Sequence, residues 1–541
     1  MNLRRYNIYF HTHTISGIII CALLYVIFFA GSFSFFRDEI SAWQKSSSYE
    51  ANREVVKRDY NFLLDSLSGS YNLKGRDFSF YLKRNSFGTY VDMSTSNDTT
   101  VSKKPEVKKE GRRRGRGREK NEDSAYFTYD FAKRQTSDYT QSYDMGEFLY
   151  RLHFLAQLNQ VPINIGTPFG YLVAGLVSFL FLFALITGLF LHWDKIKSNF
   201  FTFRPWNKWK TVWTDIHTAL GVIGFPFQFM FAVTGVVLIV NFILLTPYSK
   251  ILYKGDEAKI YQDLAYNDAS TFAYTYKPLN KDFDLTRFVT DVENRWSGAE
   301  VSRVLVKNYQ DENMHVIVEA KPSPKENFAG SGKLVYRVKD GKIVSEKSAN
   351  TESSYIDHIK ALVYHLHFGD FGGKPIRVIY FVLGVMGCVV IISGILIWLL
   401  ARDKNNVPAY KRKFNFWTAN IFMAVCLSML PVTAFTFIML KVLDNPMQSD
   451  IYHWYFYSWL VLSLYFIARR SIALTNKQSV FLSIVLCMLV PIANGIFGGN
   501  WIWVSFQADA FDILTIDILF ILLSLTSLFV YLKIRKKQDK K

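Results

Sequence analysis

The chain has 541 residues, half of them hydrophobic and 17% aromatic, with a formal net charge of +18. Several uninterrupted apolar runs are too long for a soluble core helix, which excludes a purely soluble protein. The basic residues cluster in short groups beside those runs, a distribution that points to a membrane surface and away from nucleic acid.

Hydropathy predicts eight spans: Thr14 to Phe36, Gly166 to Leu191, Thr218 to Thr246, Val378 to Leu400, Phe414 to Leu440, Trp454 to Ile467, Ser479 to Ile496 and Ile513 to Leu532. Arg4 and Arg5 precede the first. Lys195, Lys197, Arg204, Lys208 and Lys210 follow the second, and Arg402, Lys404, Lys411, Arg412 and Lys413 follow the fourth. With Arg469, Arg470 and Lys477 after the sixth and a basic C-terminus, every second connection is basic, so both termini are predicted to be cytoplasmic. The first span is too long for a signal peptide and lacks a small-residue cleavage site, so it is predicted to be retained. Cys21, Cys388, Cys426 and Cys487 all fall inside spans, which indicates neither a disulfide framework nor a thiolate metal site.

In chain order, span one (1–36) opens with His11, His13 and Gly17, and Gly31 stands eighteen residues after His13. At about 1.5 Å per residue that interval covers ~27 Å, close to the hydrocarbon thickness. An outer segment (37–149) follows, with a predicted helix from Arg53 to Leu67 and strands at Asp77 to Leu82, Thr89 to Met93 and Ala125 to Phe131. Within it the run 102–120, rich in Lys, Arg, Gly and Glu, reads as a disordered insertion. Tyr150-Arg151-Leu152-His153-Phe154 then leads into span two (150–193), which closes on Gly188 and His192.

After a basic loop (194–215) the pattern repeats. Asp215-Ile216-His217 with Gly221 opens span three (216–246), and Gly235 again stands eighteen residues after the histidine. A second outer segment (247–363) has a predicted helix from Leu285 to Trp296, strands at Glu300 to Val306, Met314 to Glu319 and Lys333 to Val338, and a hairpin signal at Asp340-Gly341. Tyr364-His365-Leu366-His367-Phe368 leads into span four (364–401), which closes on Ser393-Gly394. The two units begin and end on the same side, so they read as parallel repeats about an axis along the membrane normal. The fold class is a polytopic α-helical membrane protein with two small α+β outer domains. A four-span extension (402–541) lacks the histidine frame; Pro431 and Pro491 mark kinks, Trp501 and Trp503 interfacial anchors, and Asp517 an interfacial acid.

A lone histidine at a membrane boundary is usually an interfacial hydrogen-bonding residue. Four in repeat-equivalent places argue for ligation: His13 with His217 at the inner face and His153 with His367 at the outer, each pair closing the axial positions of one haem. No Cys-x-x-Cys-His motif is present, so two b-type haems are expected. His11, His192 and His365 are neighbours able to substitute or support, His358 and His453 are weaker candidates, and His315 reads as a surface residue. The span glycines read first as close-packing residues, which also make room for a macrocycle.

These motifs resemble the PepSY-associated transmembrane family, particularly its iron-regulated, ferric-siderophore-reducing members. The resemblance rests on His13 with Gly17, Phe36-Arg37-Asp38-Glu39, Leu152-His153, Asp215-Ile216-His217 with Gly221, Thr234-Gly235 and Leu366-His367-Phe368-Gly369; the segment from Val335 to Val344 looks like the end of a PepSY module. Ala30-Gly31 stands where the family usually has Thr-Gly. The resemblance implies a bacterial inner-membrane protein that passes electrons through two haems to periplasmic ferric chelates, with the four histidines as ligands. Neither a Gly-x-Gly-x-x-Gly fingerprint nor a P-loop occurs, so electrons must come from membrane quinol or a separate cytoplasmic reductase. Two other classes fit parts of the pattern: a siderophore or metal permease, and a non-catalytic sensor or protease-modulating protein whose PepSY-like domains bind partners. The first lacks intramembrane charge and a broken-helix site. The second leaves the four histidines idle.

Overall fold

In hydrocarbon a backbone satisfies its own polar groups only by closing them within a helix or a barrel, so the long runs of Leu, Ile, Val and Phe become helices. The computed structural model describes residues 3–101, 124–163, 168–256, 259–260, 271–324, 327–349, 353–443 and 445–538. The basic run at 102–120 lies outside the described residues. Contacts divide the chain into a helical unit (Met1–Ser48, Tyr143–Val240, Lys374–Lys541) and a sheet unit (Tyr49–Ser142, Asn241–Gly373).

Among the described residues seven helices are long and apolar enough to cross a membrane: Leu3–Ser34, Phe169–Phe201, Trp209–Ile239, Asp370–Arg402, Ala409–Val442, Ile472–Gly498 and Phe511–Lys536. The expected sixth span falls instead in a composite run, Gln448–Tyr452, a π-helical turn at His453–Tyr457 and the 12-residue helix Ser458–Arg469. It is not one of the seven. We label the helices α1 (Leu3–Ser34), α2 (Arg37–Lys45), α3 (Met145–His153), α4 (Phe169–His192), α5 (Trp209–Leu252), α6 (Gly373–Arg402), α7 (Ala409–Leu427), α8 (Met429–Val442), α9 (Ser458–Arg469), α10 (Ile472–Gly498) and α11 (Phe511–Gln538). The break between α7 and α8 follows from Pro431, whose ring crowds the carbonyl four residues back, at the last residue of α7.

The sheet unit corrects the expectation of two separate small domains. Its strands are β1 (Phe78–Leu82), β2 (Gly88–Met93), β3 (Ala125–Asp130), β4 (Gln135–Ser137), β5 (Ala299–Lys307), β6 (His315–Pro322), β7 (Gly332–Arg337) and β8 (Lys342–Lys347). They form one antiparallel sheet in the order β4-β3-β2-β1-β5-β6-β7-β8. The two outer segments supply four strands each and join at the β1–β5 seam, where Phe78 faces Val306 and Phe80 faces Val304. A shared core explains the fusion: Leu63, Leu64 and Leu67 from the helix Tyr60–Ser68, and Leu285, Val289 and Val292 from the helix Leu285–Arg295, pack on the same cluster of strand residues. Either four-stranded half alone would leave its seam edge unpaired. Asn61 ties the helices together, donating to the Asp284 carboxylate at 2.7 Å and accepting from the Leu285 N–H at 2.8 Å.

The predicted strands and the turn at Gly341, whose φ is +71°, are present. The first outer helix is shorter than predicted: residues 53–59 are not helical, and Asp59 caps the helix by accepting from the Phe62 N–H. His315 is buried, 4% exposed, stacked on Phe272 with ring centres 3.7 Å apart and bonded through Nδ1 to the Asn313 carbonyl. That corrects its reading as a surface residue, and burial lowers its pKa. Strand alternation places residue 315 on a covered face, which a local reading of a polar residue does not reveal.

Candidate functional site

Three of the predicted histidines occupy one recurring seat in the helical unit. His13 of α1 rests against α4, where its Nδ1 meets the Ala184 carbonyl at 2.9 Å and its ring lies over Gly188. His217 of α5 rests against α6 in the same way, with Nδ1 2.9 Å from the Val390 carbonyl, 3.3 Å from the Ser393 hydroxyl, and the ring over Gly394. His153, the last residue of α3, rests against α1 with Nδ1 2.8 Å from the Ile27 carbonyl and the ring over Gly31. In each seat the carbonyl precedes the glycine by four residues, one helical turn, so both lie on one face.

The glycines are required by the seat. A Cβ at Gly31 would stand 2.5 Å from His153 Nδ1, one at Gly188 3.0 Å from His13 Cε1, and one at Gly394 3.1 Å from His217 Cε1. Close approach of a ring to the backbone, beyond helix-on-helix packing, is therefore what these three residues provide. Gly17 and Gly221, one turn after His13 and His217, would meet nothing within 4 Å.

A backbone carbonyl only accepts, so each Nδ1 must carry the proton and donate it, which puts the ring's basic lone pair on Nε2.

The rings of His13 and His217 stand 6.1 Å apart, centre to centre, with their planes at 70°. With an iron–nitrogen bond of about 2 Å and the imidazole centre about 1 Å farther back, two rings sharing one iron would stand ~6 Å apart. The pair therefore fits bis-imidazole ligation. Among the described residues no group of three or more His, Cys, Asp or Glu gathers as a metal cage. Two imidazoles are the number a macrocycle leaves open, since its own four nitrogens fill the equator. Asp215, two residues before His217, fixes the start of this segment by a two-pronged ion pair with Arg204, at 2.8 and 3.0 Å, and by accepting from the Arg204 N–H.

His153 sits at the other end of α1, eighteen residues or ~27 Å along the axis from the His13 level, because its seat is Gly31. Between the two levels the core is apolar and aromatic, with Phe28 packed on Gly387 and edge-on to Phe181 at 5.2 Å. His367 belongs to the sheet unit, in the last turn of the helix Tyr355–Phe368. Of the neighbours, His192 lies one turn beyond Gly188 and meets Asn199 at 3.2 Å, and His365 is paired through Nδ1 with Asp370 at 2.6 Å. His11 is exposed, His358 meets Ser353, and His453 stacks on Tyr457.

Sequence reading missed the carbonyl half of each seat, which has no side-chain signature, and the partners of Asp517. That residue is fully buried, accepting from the Trp43 indole N–H at 2.7 Å and the Asn494 amide at 2.9 Å.

Fold and site define a multi-pass membrane protein whose helices hold histidines against glycines at both ends of the first helix. The chain belongs to the PepSY-associated TM region family, whose model matches residues 10–401. Comparison with curated proteins gives no match.

Proposed function

We propose that this protein carries electrons across a bacterial inner membrane on two b-type haems and delivers them to ferric chelates, such as ferric siderophores, on the periplasmic side. The observation that carries the reading is the 6.1 Å separation of His13 and His217, each with Nδ1 tied to a carbonyl on the neighbouring helix. These two residues would hold the inner haem. His153 shares the same seat, and sequence repetition pairs it with His367 as ligands of the outer haem.

When bound, haem supplies a one-electron couple whose potential is set by its axial ligands, hydrogen bonding and burial. The chain's own residues do the rest. The carbonyls of Ala184, Val390 and Ile27 hold the imidazole protons at Nδ1, the glycines admit the rings, and the aromatic layer around Phe28 excludes water between the two levels. Reduction is a chemically sufficient release step, because ferric iron is held tightly by hard oxygen chelators and ferrous iron is not. Membrane quinol or a separate cytoplasmic reductase supplies the electrons, and both termini are cytoplasmic in this reading. The 448–469 run serves as a shorter eighth span.

The test is a visible spectrum of the purified protein, oxidised and dithionite-reduced, with haem counted per chain. Two low-spin b-type haems are expected. His217→Ala should remove the inner one and block transfer, and His367→Ala should remove the outer one while the inner stays reducible. Unchanged haem content in both variants would overturn the ligand assignment, and uptake of labelled chelate into liposomes without a donor would favour a permease.

A further inference from the structure

The helices after Arg402 lie beyond the residues that the family model matches, yet they bury charges that membranes tolerate only where they are used. Asp517 of α11 is 0% exposed and Lys441 of α8 is 9% exposed. Both are spent on α2. Asp517 accepts from the Trp43 indole, and the Lys441 ammonium donates to the Trp43 carbonyl and to the Ser46 hydroxyl at 2.9 Å. The ammonium thus caps the C-terminal end of α2, where free carbonyls and the helix dipole favour a cation, and it also lies 4.5 Å from the Trp43 ring centre.

From α2 the contacts continue to α3, which carries His153. Lys45 and Ser41 bond Asp144 at 3.0 and 2.7 Å, and Arg37 pairs with Glu147, which also holds Arg151 at 2.6 Å. Gly146 lies so close to the Arg37 carbonyl that a side chain there would displace the backbone. The extension also reaches α3 directly. Phe148, five residues before His153, is fully buried among Tyr452, Tyr455 and Phe456, with ring centres 5.7, 4.7 and 5.7 Å away. The π-helical turn at His453–Tyr457 lies at that point, and π turns are frequent at functional sites.

We infer that the C-terminal helices are a splint for His153: Asp517 and Lys441 grip α2, the π-helical turn grips Phe148, and together they fix the helix that carries the outer ligand. Asp517, Lys441 and Tyr455 are positioning residues. The consequence for the haem rests on the electron-transfer reading; the mechanical part does not.

The test uses the full-length protein in lipid nanodiscs and compares Asp517→Leu, Tyr455→Ala and Trp43→Phe with the conservative Asp517→Asn, which keeps an acceptor for the indole. Amide exchange across Met145–His153 should rise roughly tenfold or more in the first two, since each removes a buried contact, and stay at the wild-type rate in Asp517→Asn. Trp43→Phe removes only the indole N–H and decides the matter if Asp517→Leu does not accumulate. In haem-loaded protein the same variants should shift the midpoint potential and electron-paramagnetic signature of the His153 haem while those of the His13–His217 haem stay fixed. Unchanged exchange in Met145–His153, or an equal rise in Phe169–His192, would overturn the inference. Absence of haem from the wild type would overturn the electron-transfer reading alone, because exchange still reports on α3.

Discussion

At the scale of single residues, the histidine seats set up a comparison of glycines. Gly31→Ala puts a methyl 2.5 Å from His153 Nδ1, whereas Gly17→Ala meets nothing within 4 Å. The first variant should therefore displace His153 and lower outer-haem occupancy, counted by haem per chain and spin state, and the second should match wild type. Gly188→Ala and Gly394→Ala, with contacts of 3.0 and 3.1 Å to His13 and His217, should lower inner-haem occupancy by less than Gly31→Ala lowers the outer. Equal behaviour of Gly31→Ala and Gly17→Ala would mean that the seat does not constrain the ring. Histidine positions and glycine spacing were both legible in the sequence. What was not legible is that Gly188 serves His13 and Gly31 serves His153, since each partner comes from another helix.

At the scale of elements, α2 shows how a short amphipathic helix orders longer ones. Its residue Glu39, 3% exposed, pairs with Arg377 of α6 at 2.7 Å, while Arg37 and Lys45 face α3. Asp144 is both the N-cap of α3, accepting from the Glu147 N–H, and the partner of Ser41 and Lys45. Asp144→Ala should cost about 1–2 kcal/mol from the cap alone, and more because the Lys45 ammonium loses its partner. A lowered thermal midpoint, with earliest loss of protection in α3, is the expected result; Asp144→Asn, which keeps the cap, should recover most of it. The run Phe36-Arg37-Asp38-Glu39 marked this region in the sequence, but which charges meet was set by the packing of α2 against α3 and α6.

At the scale of the molecule, the single sheet makes the two outer segments one folding unit. Val304, 0% exposed beside the β1–β5 seam, lies in the core that both segments share. Val304→Asp buries an unpaired charge there, so amide exchange should accelerate in β1–β4 as well as β5–β8; acceleration confined to one half would mean two independent modules. The sheet unit should also be acid-sensitive. Hydrogen bonds from Thr100 and Lys74 hold the Asp98 pKa well below its usual value, those from Arg337 do so for Asp340, and the hydrogen bond from Asn61 lowers that of Asp284. A carboxylate with a depressed folded pKa stabilises above the unfolded value of about 4 and loses that contribution as pH falls through the folded pKa. Protection factors in the strands, which correct for the intrinsic slowing of amide exchange in acid, should thus fall as pH drops below about 4, and Asp98→Asn should flatten that dependence.

The sequence by itself determined the membrane class, most of the helices and strands, and the four histidine positions, because hydropathy, strand alternation and a repeated motif are local properties of the chain. Only the tertiary structure decided what those positions meet. Seven helices among the described residues are long and apolar enough to cross a membrane, and the expected sixth span, polar and aromatic in its first half and passing through a π-helical turn, is not one of them. The two outer domains became one sheet because unpaired edges and a common core outweigh separation in sequence. Asp517 is buried because an indole, an amide and a nearby ammonium, all distant along the chain, offer it partners that no local pattern announces.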